Sequence, residues 1–262
     1  MPLSITDIIV QSIALYKQHT TRFISYAILL FVPGACMTIS SAIIPILISD
    51  TLMVGFMGLS YLVYVCIALI LSLIGFWFSI TFIRVIARLH ANEPVGTMVS
   101  ELHASKKIFW SAIGVAILFS LSVFGGTILL IIPGIIFGLW FAFSHYYAII
   151  EETPVISSMK ASKALVNGRW WMVFWRLVLP TFLFTIGILC ITYVIRLPLI
   201  YILSHTNVTS VLFVTWGVIA QLILSLVSAL LAPLTTAVPV ILYLELKKHP
   251  VDEERTPETQ KT

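Results

Sequence analysis

The sequence contains few charged residues. Only 10% of its 262 residues are Asp, Glu, Lys or Arg, whereas 60% are hydrophobic. A soluble domain carries about 25% charged residues, because its surface must be solvated by water. A soluble protein of this length is therefore excluded, and we interpret the sequence as an integral membrane protein.

Cysteine is also scarce, with three residues in the whole chain. Cys36, Cys66 and Cys190 stand in apolar runs, and none belongs to a C-x-x-C pair. We predict that all three are small buried hydrophobic residues. No disulfide framework is expected, so cysteine usage does not indicate an oxidising compartment.

The sequence also lacks recognisable catalytic patterns. It contains no H-E-x-x-H, G-x-S-x-G, phosphate-loop or dinucleotide-binding motif. His145 and Glu151 are six residues apart, so they do not share a helix face, which argues against a metal site. The basic residues flank apolar runs instead of covering a soluble face, which argues against nucleic-acid binding. We expect no enzyme activity, cofactor, metal ion or nucleic-acid partner.

Apolar runs long enough to cross a bilayer occur six times, since a crossing needs about 20 residues. Pro133-Gly134 separates the third and fourth runs without a polar loop. We predict a tight turn there, with one kinked helix plus a re-entrant piece as the alternative. Residues 1–245 are predicted to form one transmembrane domain, and residues 246–262 a disordered cytoplasmic tail. The predicted spans are 23–49, 52–83, 108–132, 134–150, 170–195 and 209–244.

Several spans contain proline, for example Pro33, Pro180 and Pro233. Proline removes a backbone hydrogen bond, but neighbouring helices can satisfy the freed group in a membrane protein. We therefore expect the spans to continue through these residues with kinks.

Three short segments have helical spacing but are too short or too polar to cross. Residues 5–17 and 95–105 are two of them, and we expect both to lie in the membrane interface. The third follows Glu151-Glu152, with Thr153 as the N-cap, Pro154 as the first helical residue and a left-handed end at Asn167-Gly168.

The third short helix is amphipathic. Val155, Met159 and Val166 are predicted to share one face. The opposite face is predicted to carry Ser157, Lys160 and Asn167, with Lys163 near its edge.

The same spacing occurs twice along the chain, from Arg22 to Pro33 and from Arg169 to Pro180. Lys107 occupies the equivalent position in a third unit that lacks the proline. We interpret the chain as three parallel units, each a short interfacial helix followed by a helical hairpin. Parallel repeats of this kind occur in some transporters.

The basic residues are distributed asymmetrically. The chain has 15 Lys and Arg, and with six spans only Arg196 falls at the far end. The positive-inside rule then places both termini and the longer loops in the cytoplasm. The polar stretch before the first span is not a cleavable signal, so we expect that span to be an uncleaved anchor.

Four basic residues are candidates for contacts with anionic lipids or a partner: Lys160, Lys163, Arg169 and Arg176. The first three form a cationic cluster at the interface, where anionic headgroups would bind by charge. A solvated surface is the alternative. Arg176 lies inside span five, on the same face as Arg169, and either snorkels to the headgroups or contacts an anionic ligand between helices.

A family resemblance rests on the stretch around the fourth span. Its residues are Ile132-Pro133-Gly134-Ile135-Ile136, then Phe143, Tyr146 and the acidic break, then Met159-x-Ala161-Ser162-x-Ala164-Leu165 and Gly168-x-Trp170. The series resembles a bacterial family of polytopic membrane proteins. That family includes the YciC-like proteins and the membrane domain found beside glycerophosphodiester phosphodiesterases.

The resemblance implies an all-helical inner-membrane protein and supplies no active-site residues. Hydrolysis in that family belongs to a separate soluble domain. We expect a non-enzymatic role in membrane or envelope organisation, through membrane lipids or a second membrane protein. A transporter or channel for a small or lipid-like solute is the alternative.

Overall fold

The protein, in a computed structural model, is α-helical, and the structure describes residues 4–49, 54–204 and 211–249. These ranges contain no strand, which confirms the predicted all-α class. The predicted tail begins at residue 246, and residues 246–248 belong to the last helix. From position 250 onward the tail lies outside the described residues. The helices are α1 (Ile5–Gln18), α2 (Thr20–Ser49), α3 (Val54–His90), α4 (Met98–Ser105), α5 (Phe109–Leu129), α6 (Ile131–Trp140), α7 (Ser144–Ile150), α8 (Val155–Val166), α9 (Trp170–Ser204) and α10 (Val211–Lys248).

Six segments of the described chain are long and apolar enough to cross a membrane, as the sequence predicts. The protein is therefore a multi-pass helical membrane protein. Spans two, five and six continue past the predicted ends, because the charged residues at those ends remain helical. Numbered in order, the spans are Thr20–Ile43, Tyr61–His90, Phe109–Leu129, Ile131–Ile150, Trp170–Ile202 and Phe213–Lys248.

Spans three and four are joined at Leu130, whose extended backbone (φ −166°, ψ 153°) ends α5 and precedes α6. The predicted turn at Pro133-Gly134 is therefore misplaced. Pro133 lies in the first turn of α6, where its missing N–H is not needed. Gly134 lets the helices approach closely, because a Cβ there would lie 3.1 Å from the Cα of Thr127.

The elements recur three times in the same order, a short helix followed by two apolar spans. α1 precedes spans one and two, α4 precedes spans three and four, and α8 precedes spans five and six. This order agrees with the three units that the sequence indicates.

Contacts divide the chain into two compact units. Unit 1 comprises Met1–Gln18, Ile80–Leu183 and Leu234–Thr262, and unit 2 comprises His19–Ser79 and Phe184–Pro233. Unit 1 contains the three short helices, and α3, α9 and α10 each contribute residues to both units.

Within unit 1, α8 packs through an apolar face. Met159 contacts the buried Val115 and Ala148. The buried residues of α8 are Ser158, Met159, Ser162, Leu165 and Val166, whereas Ser157, Lys160, Lys163 and Asn167 are exposed. The predicted amphipathic division of this helix is therefore confirmed.

The start of α8 differs from the prediction by one residue. Pro154 is the N-cap and makes no side-chain capping bond, and the helix begins at Val155. Thr153 is not the N-cap; its hydroxyl pairs instead with the hydroxyl of Ser158 at 2.7 Å. Gly168 has φ 85°, which confirms the predicted left-handed end, a conformation that glycine adopts without steric cost.

Span four is interrupted between α6 and α7, and α8 closes the interruption. The Ser162 hydroxyl donates to the carbonyl of Trp140 at 2.8 Å and accepts from the N–H of Phe143 at 3.1 Å. Backbone groups released from a helix inside a membrane must find partners within the protein. One buried serine therefore satisfies both sides of the break.

Within unit 2, the proline of span one contacts a glycine of span two. A Cβ built at Gly75 would lie 3.7 Å from the Cβ of Pro33. The helix continues through Pro33, as it does through Pro180 and Pro233 in the later spans. The expected kinks at these prolines stay predictions.

The three cysteines are exposed, so the prediction that they are buried is wrong. Cys36, Cys66 and Cys190 all belong to unit 2. The outer face of a membrane protein meets lipid tails that are as apolar as a protein core. A small apolar side chain in a span therefore does not have to be packed inside the protein.

Candidate functional site

Unit 1 contains a group of ion pairs that sequence spacing does not reveal. Arg84 in α3 pairs with Glu152 at 2.9 Å, and Arg88 in the same helix pairs with Glu101 at 2.6 Å. Arg84 and Glu101 are both buried, so their charges need these partners. Removing Glu152 would leave the buried Arg84 without its counter-charge, and removing Arg88 would do the same to the buried Glu101.

Glu151, next to these ion pairs in the α7–α8 link, binds two residues of α10. Its carboxylate accepts a hydrogen bond of 2.8 Å from the Tyr243 hydroxyl, and Lys247 forms an ion pair with it. In the sequence, Glu151 and Glu152 form only the acidic break before α8. The structure shows that they also bind residues distant in the chain, so the α7–α8 link is held against α3 and α10.

The backbone at this link is strained. Glu152 has φ 54°, in the left-handed region that residues with a Cβ adopt at a cost of about 1–2 kcal/mol. Its ion pair with Arg84 gives a reason for that conformation, since the turn directs the carboxylate to α3. A cavity of about 410 Å³ adjoins these charges and is lined by Arg84, Ala87, Arg88, Ala91, Glu93, Ile150, Glu151, Glu152 and Leu244.

The exposed face of α8 carries two of the four predicted cationic residues. Lys160 and Lys163 both lie on this face. The ammonium of Lys163 sits 4.3 Å from the centroid of the Trp140 ring, a cation–π contact that holds it beside span four. We call Lys160 and Lys163 the α8 cationic face.

Arg169 is not part of that face. It is 7% exposed, and its guanidinium donates to the carbonyls of Leu165 at 3.0 Å, Leu246 at 2.9 Å and His249 at 2.6 Å. Leu246 lies in the last turn of α10, where helix carbonyls lack partners within the helix, and His249 directly follows the helix. Arg169 therefore joins the start of α9 to the end of α10.

Arg176 is half-buried inside α9, and its guanidinium contacts the sulfur of Met172 one turn earlier. The sequence predicts a shared helix face for Arg169 and Arg176. However, α9 begins at Trp170, so Arg169 precedes the helix. The structure brings Lys160 and Lys163 onto one exposed face and places Arg169 and Arg176 elsewhere.

Exposed tryptophans occur at the start of span five. Trp170, Trp171 and Trp175 are 40%, 57% and 51% exposed, and the rings of the first two stack at 4.3 Å. Trp110 is likewise exposed at the start of span three. Tryptophan is enriched where apolar chains meet headgroups, so these residues mark one membrane–water interface.

Unit 2 contains a groove of about 730 Å³ between the second half of α9 and the first half of α10. Sequence reasoning identified Arg196 only as an isolated far-end cation and missed the groove. The groove could have been found in the sequence, because its lining residues recur every three or four positions in both helices and so share one helix face. The lining residues are Ile186, Leu189, Cys190, Thr192, Tyr193, Arg196, Gln221, Leu224, Ser225 and Ser228.

Metal-ligating side chains do not cluster anywhere in the described ranges. His145 lies in α7, and Glu151 follows the end of that helix. Glu151 is engaged with Tyr243 and Lys247, as described above.

Fold and surface together define an all-α, multi-pass membrane protein with a cationic face on a short helix and a groove between two spans. Comparison of the chain with protein-family models, with curated proteins and with solved structures finds no match.

Proposed function

We propose that this chain is a non-enzymatic protein of the bacterial inner membrane that organises the membrane by binding anionic lipid headgroups on the α8 cationic face. The observation that carries the proposal is the exposure of Lys160 and Lys163 on a helix whose opposite face is buried. Packing holds the helix in place, so the two ammonium groups are presented together.

The lipid assignment follows from the charge and from the neighbouring aromatic residues. A lysine near an anionic membrane surface contributes about 1 kcal/mol of attraction, so two contribute about 2 kcal/mol. The exposed Trp170 and Trp171 shortly after α8 are typical of the headgroup level. The resemblance to the YciC-like family supports the same role.

The proposed orientation has both termini, α4 and α8 on the cytoplasmic side. It rests on the positive-inside rule, because the lysines and arginines other than Arg196 concentrate near one end of the spans. Cytoplasmic leaflets of bacterial membranes are anionic, so this orientation places the α8 cationic face against a surface of opposite charge.

The engaged carboxylates support a non-enzymatic role. Glu101, Glu151 and Glu152 each form an ion pair with an arginine or lysine of unit 1. A general acid or base must be positioned to exchange a proton with a substrate. Carboxylates held by cations from other helices are better suited to keeping those helices together.

The test is to reverse the charge of the α8 cationic face with Lys160→Glu and Lys163→Glu combined. We expect the purified variant to retain about tenfold less anionic lipid relative to zwitterionic lipid, measured by lipid extraction and mass spectrometry. The matched control, Lys160→Arg with Lys163→Arg, keeps the charge and should retain wild-type lipid. Equal lipid content in the wild-type and Glu variants would reject the proposal.

A second candidate is a transporter or channel for a small or lipid-like solute, favoured by the interruption of span four. Discontinuous helices form substrate sites in several transporter folds. The protein would then accelerate solute efflux or lipid scrambling when reconstituted into vesicles. Rates equal to those of protein-free vesicles would reject this candidate, whereas rates clearly above them would favour it over membrane organisation.

A further inference from the structure

The groove of unit 2 has a shape and a charge that suit one class of ligand. We propose that it binds an anionic phospholipid from the leaflet at the C-terminal end of α9, with the lipid phosphate on the Arg196 guanidinium. The acyl chain would lie along the groove floor towards Ile186 and Leu189. This inference uses residues separate from the α8 cationic face and does not depend on it.

The length of the groove matches one leaflet. Ile186 and Arg196 are ten residues apart on one helix, which corresponds to about 15 Å at 1.5 Å per residue. The hydrocarbon core of a bilayer is about 30 Å thick, so one leaflet contributes about 15 Å. With its phosphate at Arg196, an acyl chain could therefore follow the groove through most of one leaflet.

The depth of Arg196 also fits a headgroup contact. Span five has 33 residues, which is about 50 Å of helix and longer than the hydrocarbon core. Its beginning is marked as interfacial by Trp170 and Trp171, so the excess length falls towards its C-terminal end. Arg196 lies six residues before that end at Ile202, which places it in the headgroup layer.

The charges at the groove favour an anionic headgroup. Arg196 is exposed, and its planar guanidinium can donate two hydrogen bonds to one phosphate. The described lining contains no aspartate or glutamate that would attract the ammonium group of a zwitterionic lipid. Gln221 is also exposed on the facing helix and adds an amide donor.

The groove floor is less polar than its composition suggests. The hydroxyls of Thr192, Ser225 and Ser228 donate to carbonyls of their own helices at 2.8, 3.0 and 2.9 Å. Because these hydroxyl donors already have acceptors, the ligand does not have to supply acceptors for them. The floor therefore accepts an acyl chain beside Ile186, Leu189 and Leu224, while the headgroup end keeps a cation.

The experiment compares lipid binding by native mass spectrometry of the detergent-purified protein, with phosphatidylglycerol and phosphatidylcholine added separately. We expect the wild type to prefer phosphatidylglycerol. Arg196→Gln should bind phosphatidylglycerol about tenfold more weakly. Its binding of phosphatidylcholine should fall less, because the choline cation already balances the phosphate charge of that lipid. Arg196→Lys keeps the charge but loses the paired donors. Its affinity for phosphatidylglycerol should therefore lie between those of the wild type and Arg196→Gln. Arg196 is exposed, so these variants should fold normally.

A second pair of variants tests whether the groove itself is occupied. Leu189→Trp fills the groove and should weaken phosphatidylglycerol binding, whereas Ile191→Trp lies on the exposed surface outside the lining and should not. Reduced binding by both Trp variants alike, or wild-type binding by Arg196→Gln, would overturn the inference. The Lys160→Glu, Lys163→Glu variant should keep the Arg196-dependent preference, so failure at either site is distinguishable from failure at the other.

Discussion

Ser162 offers the sharpest test of how span four is held together. It is completely buried in α8, and its hydroxyl bridges the carbonyl of Trp140 and the N–H of Phe143 across the break between α6 and α7. Ser162→Ala removes both hydrogen bonds and leaves two backbone groups without the partner shown here. Alanine also favours the helix, so local helix propensity should not explain a loss of stability.

The expected cost follows from the two lost bonds. A buried polar group left unsatisfied costs about 1–3 kcal/mol. Hydrogen bonds between membrane helices measure towards the low end, because the unfolded chain in the membrane finds other partners. For two groups we expect a loss of about 1–3 kcal/mol in the free energy of unfolding.

The measurement is reversible unfolding in mixed detergent micelles, followed by far-ultraviolet circular dichroism. Ser157→Ala is the matched control, since Ser157 is exposed on the same helix and its change should stay within about 0.5 kcal/mol. If Ser162→Ala is as stable as Ser157→Ala, the serine does not hold the break and our explanation of span four is wrong.

Two further predictions concern the hairpin of spans three and four and the first helix. Gly134→Ala should destabilise the protein by about 1–3 kcal/mol in the same unfolding assay, because its Cβ would lie 3.1 Å from the Thr127 backbone, whereas Gly125→Ala meets open space and should not. Hydrogen bonds from Ser4 lower the pKa of Asp7 below its usual value. A depressed pKa contributes stability above the unfolded-state value and loses it as the pH falls through the folded-state value. The wild type should therefore be more stable to unfolding than Asp7→Asn at neutral pH and lose that extra stability between about pH 5 and 2. A stability difference that stays constant across that range would show that the Ser4 hydrogen bonds do not stabilise the Asp7 carboxylate.

The short helices show how far sequence reasoning reached. The start of α1, the end of α4 and the two faces of α8 were predicted, because helical spacing is a local property. The predicted start of α4 was three residues early, since the helix begins at Met98. The start of α8 was displaced by one residue, since Pro154 takes the N-cap position itself. The turn before span four was displaced to Leu130, because Pro133 is tolerated in the first turn of a helix.

The candidate site could be predicted only in part. Lys160 and Lys163 lie on the exposed face that their spacing indicates. Arg169 belongs to the same cluster in sequence, but it is buried against the end of α10, about 80 residues further along the chain. Which helix lies beside Arg169 depends on the packing of distant segments, and neither charge pattern nor periodicity encodes that packing.

By itself, the sequence determined the class of protein, the number of spans and the order of short and long helices. Those properties depend on the length of apolar runs and on where charges interrupt them, because every backbone group in a membrane must be satisfied within a helix or by the protein. Only the tertiary structure decided which side chains meet. The partners of Arg84, Glu151 and Ser162, and the groove beside Arg196, arise where helices distant in the chain become neighbours in space.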